Sequence, residues 1–448
     1  MIEDRTTLAG TPSRELALTC LEAGIRAADP SRAIKDSIVL EADTLQIGDA
    51  TVELNDFERI LVIGGGKASA EMAQSLESML DERIDDGVIV TTDPIDLDRI
   101  AVLRGDHPVP SRRGITATAK LLALLEDVTS ETLVLVLISG GGSALLPAPA
   151  GDVSLSALQS VTDDLLESGA TIHEINTVRK HLSAIKGGRL AMHAQPATVH
   201  TLLVSDVVGD DLSVIASGPT VPDPTRYQDA LAVLTEYDII PPVSVRERLA
   251  AGAAGELPET PGPGDPAFDC VSHHLIANAG TAARAARAVA QEAGYNALLL
   301  STRIRGESRE AALTHVAIGE EICASNQPID PPAAIISAGE TTVTIRGTGT
   351  GGPNQEFALR AAVEGAAGIT LAAIDTDGID GGSDAAGGIV DARTVGDRRT
   401  AISALEDNDA TPYLRDRSGL IITGRTGTNV NDLRVMVVEP VTEDATDG

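Results

Sequence analysis

Two glycine loops hold the residues best suited to chemistry. Lys67 directly follows Gly64-Gly65-Gly66, and Ser139-Gly140-Gly141-Gly142-Ser143 closes the unbroken apolar run 133–138. Consecutive glycines let a backbone approach a ligand closely. A helix starting behind such a loop presents free N–H groups and a positive dipole end to a phosphate or carboxylate. Both loops therefore read as small-anion sites. Lys67 adds a point charge suited to phosphate. Only five of the 34 basic residues are lysines, so its place at a loop favours function over a solvated surface role. The loop is not a P-loop, because Leu61 and Ala68 stand where Gly and Ser or Thr are required. It is a defective dinucleotide fingerprint, because Ser69 takes the third glycine position. Asp93, at the end of the next strand, keeps a nicotinamide reading open as a ribose contact.

A second group is cationic. Arg179, Lys180, Lys186 and Arg189 gather within 176–189 of an otherwise acidic chain. Spacings of three and four put Arg179 with Ser183, or Ser183 with Lys186, on one helix face. That suits an anion, and pairing with surface carboxylates is the competing reading. Asp206, at the tip of the strand-like run 201–205, can hold Mg²⁺ or act as base toward a substrate hydroxyl. Asp210 and Asp211 read as loop and cap residues. In the second half, the Gly/Thr stretch 347–352 leads into a helix from Gln355. It reads as another phosphate loop, with Asn354 and Gln355 as amide contacts. Asp375, Asp377, Asp380 and Asp384, interspersed with glycines, suit a hard cation, although not with EF-hand spacing.

These residues need strand ends to position them. Short buried strands are predicted at 60–63, 87–91, 133–138 and 201–205, with helices at 16–28, 68–80, 114–126, 155–168 and 181–194. The alternation implies a parallel α/β sheet, whose ligands sit at the carboxyl ends of strands. The Pro- and Gly-dense stretch 256–266 reads as a linker. A second α/β unit is expected beyond it, with strands at 275–277, 296–300, 334–337, 341–346, 369–373 and 433–438. The pair 334–338 and 341–346 reads as a hairpin, which predicts a mixed sheet. The tail 443–448 reads as frayed.

Composition narrows the function classes. With 66 Asp+Glu against 34 Lys+Arg, the net charge is −32. This opposes general binding to nucleic acid or anionic membrane, which want basic faces. Three scattered cysteines lack metal spacing. No apolar stretch reaches membrane-span length and the N-terminus lacks signal-peptide form, so a soluble, cytoplasmic protein is expected. Acidic surface, scarce lysine and a core of small aliphatics suggest a halophilic cytoplasm, where salt screens self-repulsion.

Two glycine loops, a loop lysine and clustered carboxylates suit phosphoryl transfer, which depends on positioning and charge stabilisation. The motifs Ile-Gly-Gly-Gly-Lys67-Ala, Gly105-Asp-His-Pro108, Ser139-Gly-Gly-Gly-Ser143, Asn176-Thr-Val-Arg-Lys, Lys186-Gly-Gly, Ser205-Asp206, Ser217-Gly-Pro-Thr, Ser337-Ala-Gly-Glu340-Thr, Gly-Gly-Pro-Asn354-Gln-Glu, Asp375-Thr-Asp377-Gly and Thr426-Gly-Thr-Asn429-Val occur in that order. Together they resemble the glycerate 2-kinase family over nearly the whole chain. The resemblance implies two α/β domains. A Rossmann-like, mostly parallel N-terminal domain (DUF4147) would span 1–250. A C-terminal MOFRL domain with a mixed sheet would span 267–448, with the active site in the cleft between them. It implies phosphorylation of D-glycerate at its 2-hydroxyl by ATP with Mg²⁺, by a monomer or homodimer. Lys67 and Asp206 would be catalytic. Gly65, Gly66, Ser139, Gly140, Gly141, Gly142, Ser143, Arg179, Asn354 and Gln355 would bind substrate or phosphate. Asn278, Glu340, Gly351, Gly352, Asp375 and Asp377 would bind nucleotide, and Asp206 and Asp377 the metal. Members of the family often carry Arg where this chain has Pro353, leaving Arg346, Arg360 or Arg179 to supply that charge. Some members are labelled hydroxypyruvate reductase, so an NAD(P)-dependent reductase is the alternative. A sugar-acid sensor without turnover is a further alternative.

From the charge, the thermal midpoint should rise steeply with KCl, with unfolding or inactivation in dilute buffer. A midpoint independent of salt would contradict the halophile reading.

Overall fold

The apolar runs become the middle of a sheet covered on both faces. The computed structural model describes residues 1–365 and 367–440, so the expected frayed tail lies outside the described residues. Strands β1 (Ile38–Glu41), β2 (Thr44–Ile47) and β3 (Ala50–Glu53) make a small antiparallel meander that the sequence reading lacks. Next come β4 (Arg59–Gly65), β5 (Asp86–Thr91), β6 (Ile100–Arg104), β7 (Thr132–Ile138), β8 (Thr198–Val204) and β9 (Val271–Ala277). They form one sheet in the order β6-β5-β4-β7-β8-β9. The pairings β5/β6, β4/β5, β4/β7 and β7/β8 are parallel. Every residue of β7 is buried, as a strand sandwiched between helices requires. Leu61, Ile63, Val134, Val136 and Ile138 pack with Leu121, Leu125 and Leu190 in the core.

This strand order is that of the doubly wound dinucleotide fold. The chain builds outward from β4 to β6, then crosses back to lay β7 on the other side of β4. The reversal sets the loops 64–67 and 139–143 side by side at a topological switch point, the usual ligand position of such sheets.

Expected helices appear at Ser69–Leu80, Arg112–Ala123 and Leu155–Glu167. The helix expected at 181–194 does not form. Instead Ile172–His181 ends, and a separate helix Arg189–Ala194 follows, because Gly187 and Gly188 adopt φ of +58° and +81°.

The second sheet comprises β10 (Asn296–Glu307), β11 (Ala333–Thr342), β12 (Ile369–Asp375), β13 (Gly387–Asp391), β14 (Leu420–Ile421) and β15 (Asp432–Val438), in the order β10-β11-β15-β12-β13-β14. It is mixed, but the expected hairpin is absent. β11 runs unbroken through Glu340, parallel to β10 and antiparallel to β15. Gly339 is no turn residue. A Cβ there would lie 2.1 Å from the Ile304 carbonyl oxygen, so the glycine marks close approach of two strands at an irregularity in their register.

The division of the chain differs from 1–250 and 267–448. One compact unit is Ala33–Ile276, and the other joins Met1–Arg32 to the chain from Ala277 onward. The helix Pro12–Ala27 packs against the helix Ala279–Glu292 and β15, with Arg14 Nε 2.7 Å from Asp391 Oδ2. The stretch 256–266 is no linker. Glu259 accepts the Tyr227 N–H at 3.0 Å and the Pro261 carbonyl accepts the Asp223 N–H at 2.9 Å, which binds it to the N-terminal unit.

Gly64 has φ +147°, and a Cβ there would lie 2.0 Å from the Leu137 carbonyl oxygen. Gly64→Ala should therefore cost about 3 kcal/mol or more, read as a lowered urea midpoint with an unchanged slope.

Candidate active site

The two loops at the switch point bind each other. Lys67 N–H donates to the Gly140 carbonyl at 2.8 Å, and Ala68 N–H to Ser139 Oγ at 3.0 Å. Ser69 N–H donates to the Gly66 carbonyl and Gly142 N–H to the Ser139 carbonyl. The donors from Gly66 to Ser69, and that of Gly142, are thus spent inside the protein. The helix behind the second loop is a single turn, Gly142–Leu145. Gly66 and Gly140 serve the same contact. A Cβ on Gly66 would lie 2.1 Å from Ser139 Oγ, and one on Gly140 2.0 Å from Asp206 Oδ2. These glycines fit protein against protein rather than protein against ligand.

Side chains add charge beside these loops. Lys67 is exposed and Asp206 is half-buried beside Gly140. Burial raises the Asp206 carboxyl above its ordinary range, against the opposing pull of its own backbone N–H and of Lys67. His107 lies on the other side of Gly141, and burial, helped by Lys67, pushes it down to about 4. The sequence marks His107 only within the Gly105-Asp-His-Pro108 motif.

Arg179 and Lys186 line a pocket of about 190 Å³ together with His107, Gly141, Ser143 and Ser183. Lys186 is 5% exposed, and its Nζ donates to the Leu146 carbonyl at 3.1 Å. Burial, reinforced by Arg179, lowers it to about 7. The other two cations of this segment turn elsewhere. Lys180 pairs with Asp223 at 3.3 Å, and Arg189 donates to the Lys180 carbonyl at 2.8 Å. Ser143 Oγ lies 2.8 Å from Ser217 Oγ, which donates to Asn176 Oδ1 at 2.8 Å. Ala216, Ser217 and Gly218 all have φ between +50° and +62°. Left-handed non-glycine residues cluster at functional sites, where surrounding bonds hold them in place. A larger hollow of about 610 Å³, lined by Arg104, Arg112, Arg113 and Lys120, shares no residue with either loop.

In the C-terminal unit the predicted phosphate contacts have internal duties. Asn354 and Gln355 are fully buried and bonded within the unit. The Asp380 carboxylate accepts both of their backbone N–H groups at 2.9 Å and caps the helix Pro353–Glu364. Its oxygens also accept both side-chain amides, and Asn354 Nδ2 reaches Asp432 Oδ1 at 2.6 Å. The Gly/Thr loop before them is served in the same way. Asp407 accepts the Thr348 N–H at 3.0 Å, Asp409 the Thr350 N–H at 2.9 Å, and Asn408 those of Arg346 and Gly347. Acidic side chains take the place a phosphate was expected to fill. Gly351 and Gly352 end this loop, and Gly352 packs on Asp380.

The remaining predicted residues are placed as follows. Asn278 Oδ1 caps the helix Ala279–Glu292 through Thr281 N–H at 2.9 Å. Glu340 is exposed on β11. Asp375 Oδ1 accepts the Asp377 N–H at 3.0 Å, and Asp377 Oδ1 that of Ile379 at 2.8 Å. Burial, with Asp377 and Asp432 facing it, raises Asp375 well above the carboxylate range. Burial also raises Asp380, to about 6. Among the described residues, no three His, Cys, Asp or Glu side chains converge as a cation cage. Pro353 opens its helix, where a missing N–H costs nothing. Arg360 pairs with Glu364 at 3.0 Å and Arg346 is exposed, whereas Arg179 faces the pocket.

Known proteins resemble this chain throughout. The domain of unknown function DUF4147 matches residues 16–250, and the MOFRL family matches 333–432. The glycerate 2-kinase of Pyrococcus horikoshii is 41% identical, across 95% of this chain and 97% of its own length. An Agrobacterium vitis protein with a hydroxypyruvate reductase label is 43% identical, across 85% of this chain and 87% of its own. The crystal structure of the Thermotoga maritima glycerate kinase superposes with a TM-score of 0.84 at 38% identity, covering 95% of this chain and 99% of that one.

Asp380→Ala would strand two helix N–H groups and two buried amides. It should lower stability by about 2–4 kcal/mol in denaturant unfolding. A loss below half a kilocalorie would show that the cap is dispensable.

Proposed function

The chain belongs to the glycerate 2-kinase family, and on that premise we propose that it transfers the γ-phosphoryl group of ATP to the 2-hydroxyl of D-glycerate. The supporting observation is the switch point, where Lys67 and Asp206 flank the loop 140–141. The Asp206 carboxylate takes the proton of the 2-hydroxyl as that oxygen bonds to the γ-phosphorus. The bond from phosphorus to the bridging oxygen breaks, and ADP leaves with both electrons. The Lys67 ammonium offsets the negative charge on the transferring group. A raised carboxyl suits Asp206 to this work, since a base is most effective when its pKa approaches the operating pH.

Mg²⁺ accompanies ATP in such a transfer, and it takes one or two carboxylates plus phosphate oxygens rather than a full protein cage. Asp206, just past β8 and beside Gly140, offers one such carboxylate. Asp377 of the C-terminal unit is the other candidate, and bound Mg²⁺ would neutralise phosphate charge. The reductase reading draws on the dinucleotide-type strand order and on the relative's label. Against it, the first N–H groups behind Gly66 are already bonded, leaving no cradle there for a pyrophosphate. The acid-rich, lysine-poor composition supports a salty cytoplasm as the setting. No helix among the described residues is long and apolar enough to cross a membrane.

The test is ADP release in molar KCl with Mg-ATP and D-glycerate, resolving 2- from 3-phosphoglycerate. The expected product is 2-phosphoglycerate. Lys67→Ala should slow turnover about 10²–10³-fold. Asp206→Asn should slow it about 10²–10⁴-fold and remove the acid limb of the pH–rate profile. NADH oxidation with hydroxypyruvate and no ADP would favour the reductase instead.

A further inference from the structure

We infer that Arg179 and Lys186 are the specificity-determining pair of this enzyme, holding the carboxylate of a short 2-hydroxy acid in the pocket beside Gly141. The inference rests on the kinase reading of the same site and deepens it.

Of the four fully buried cations among the described residues, three have a carboxylate: Arg14 takes Asp391, Lys180, one helical position beyond Arg179, takes Asp223, and Arg434 takes Asp432. Yet among the described residues no ion pair is formed by Arg179 or Lys186. Lys186 is almost wholly buried, and its ammonium donates to the neutral Leu146 carbonyl, its one hydrogen-bond partner among the described residues. A buried cation without a counterion, beside a second, half-buried one, destabilises a fold. A ligand anion would reverse that penalty on binding, and sites that trade stability for function have this form.

The geometry agrees. Ser183 Oγ accepts the N–H groups of Ile185 and Lys186, both at 3.2 Å, and so holds the turn that presents Lys186. Gly141 lines the pocket, and a Cβ on it would lie 3.0 Å from His107 and 3.2 Å from Lys67 Cγ. The cationic end and the reacting end are therefore contiguous. Pro147, Ala148 and Leu158 form an apolar wall, and about 190 Å³ leaves room for only a short chain.

The test uses the full chain with Lys186→Met and Arg179→Met, each with a charge-keeping partner, Lys186→Arg and Arg179→Lys. Three readouts are needed: KM against kcat for D-glycerate, the kcat/KM ratio of D-glycerate to uncharged glycerol, and calorimetric binding of D-glycerate without nucleotide. Each Met variant should raise KM and weaken binding about 30-fold or more, with a smaller change in kcat. The preference over glycerol should collapse by a similar factor, and the charge-keeping variants should recover much of it. Lys186→Met should also raise the thermal midpoint of the unliganded protein. Unchanged binding and preference in both Met variants would overturn the inference. So would a lowered midpoint with unchanged affinity, which would mark a structural cation. Glycerate binding lost in the variants, with no turnover in the parent protein, would support the pocket while refuting the kinase reading.

Discussion

The carboxyl ends of β4 and β7 meet only because Gly64, Gly66 and Gly140 carry no side chains at the contact. Each would place a Cβ within about 2 Å of the facing segment or of Asp206. The site depends on this approach. It ties Lys67 N–H to the Gly140 carbonyl and sets Asp206 against the same loop. The parallel pairing of β4 with β7 continues to Gly65 and Ile138, so the loops leave the sheet together rather than diverging. A reacting centre built from side chains on interlocked strand ends is rigid where it must be, since neither loop can shift without breaking the other's bonds.

Carboxylates act as internal anions in the C-terminal unit. Asp380 caps a helix, and Asp407 and Asp409 fill a glycine-rich loop. Backbone N–H groups accept any oxygen anion of suitable geometry, and a protein rich in acids can supply its own. A glycine-rich loop before a helix is thus an ambiguous sign in such a chain. It shows that N–H donors are gathered, but not whether the partner is a ligand or a side chain.

The opposite holds for cations. Where carboxylates abound, a buried cation without one is unusual, and among the described residues Lys186, beside the half-buried Arg179, is that case. Lys67, exposed beside Asp206, completes a positive side-chain region in a molecule of net charge −32. Salt-screened self-repulsion over the surface and weakly screened charge on buried Lys186 can coexist, because screening acts on exposed groups and weakly on buried ones.

Much was legible in the residues alone. Unbroken runs such as 133–138 identify doubly covered parallel strands, because only a strand buried on both faces is apolar at every position. Lys67 and Asp206 stand at strand ends, where α/β sheets gather ligands. The cationic segment 176–189 was visible by contrast with its acidic surroundings. Tertiary structure alone decided which donors are already used. Asn354 and Gln355 look free in sequence, yet Asp380, 26 residues beyond Asn354, takes their hydrogens. Met1–Arg32 joins the C-terminal unit because Arg14 finds Asp391, a pairing no local pattern encodes. Local periodicity reports how a segment is buried. Which distant partner satisfies its polar groups depends on long-range packing, so the division of the cationic cluster into structural Lys180 and pocket-facing Lys186 emerges only in the folded chain.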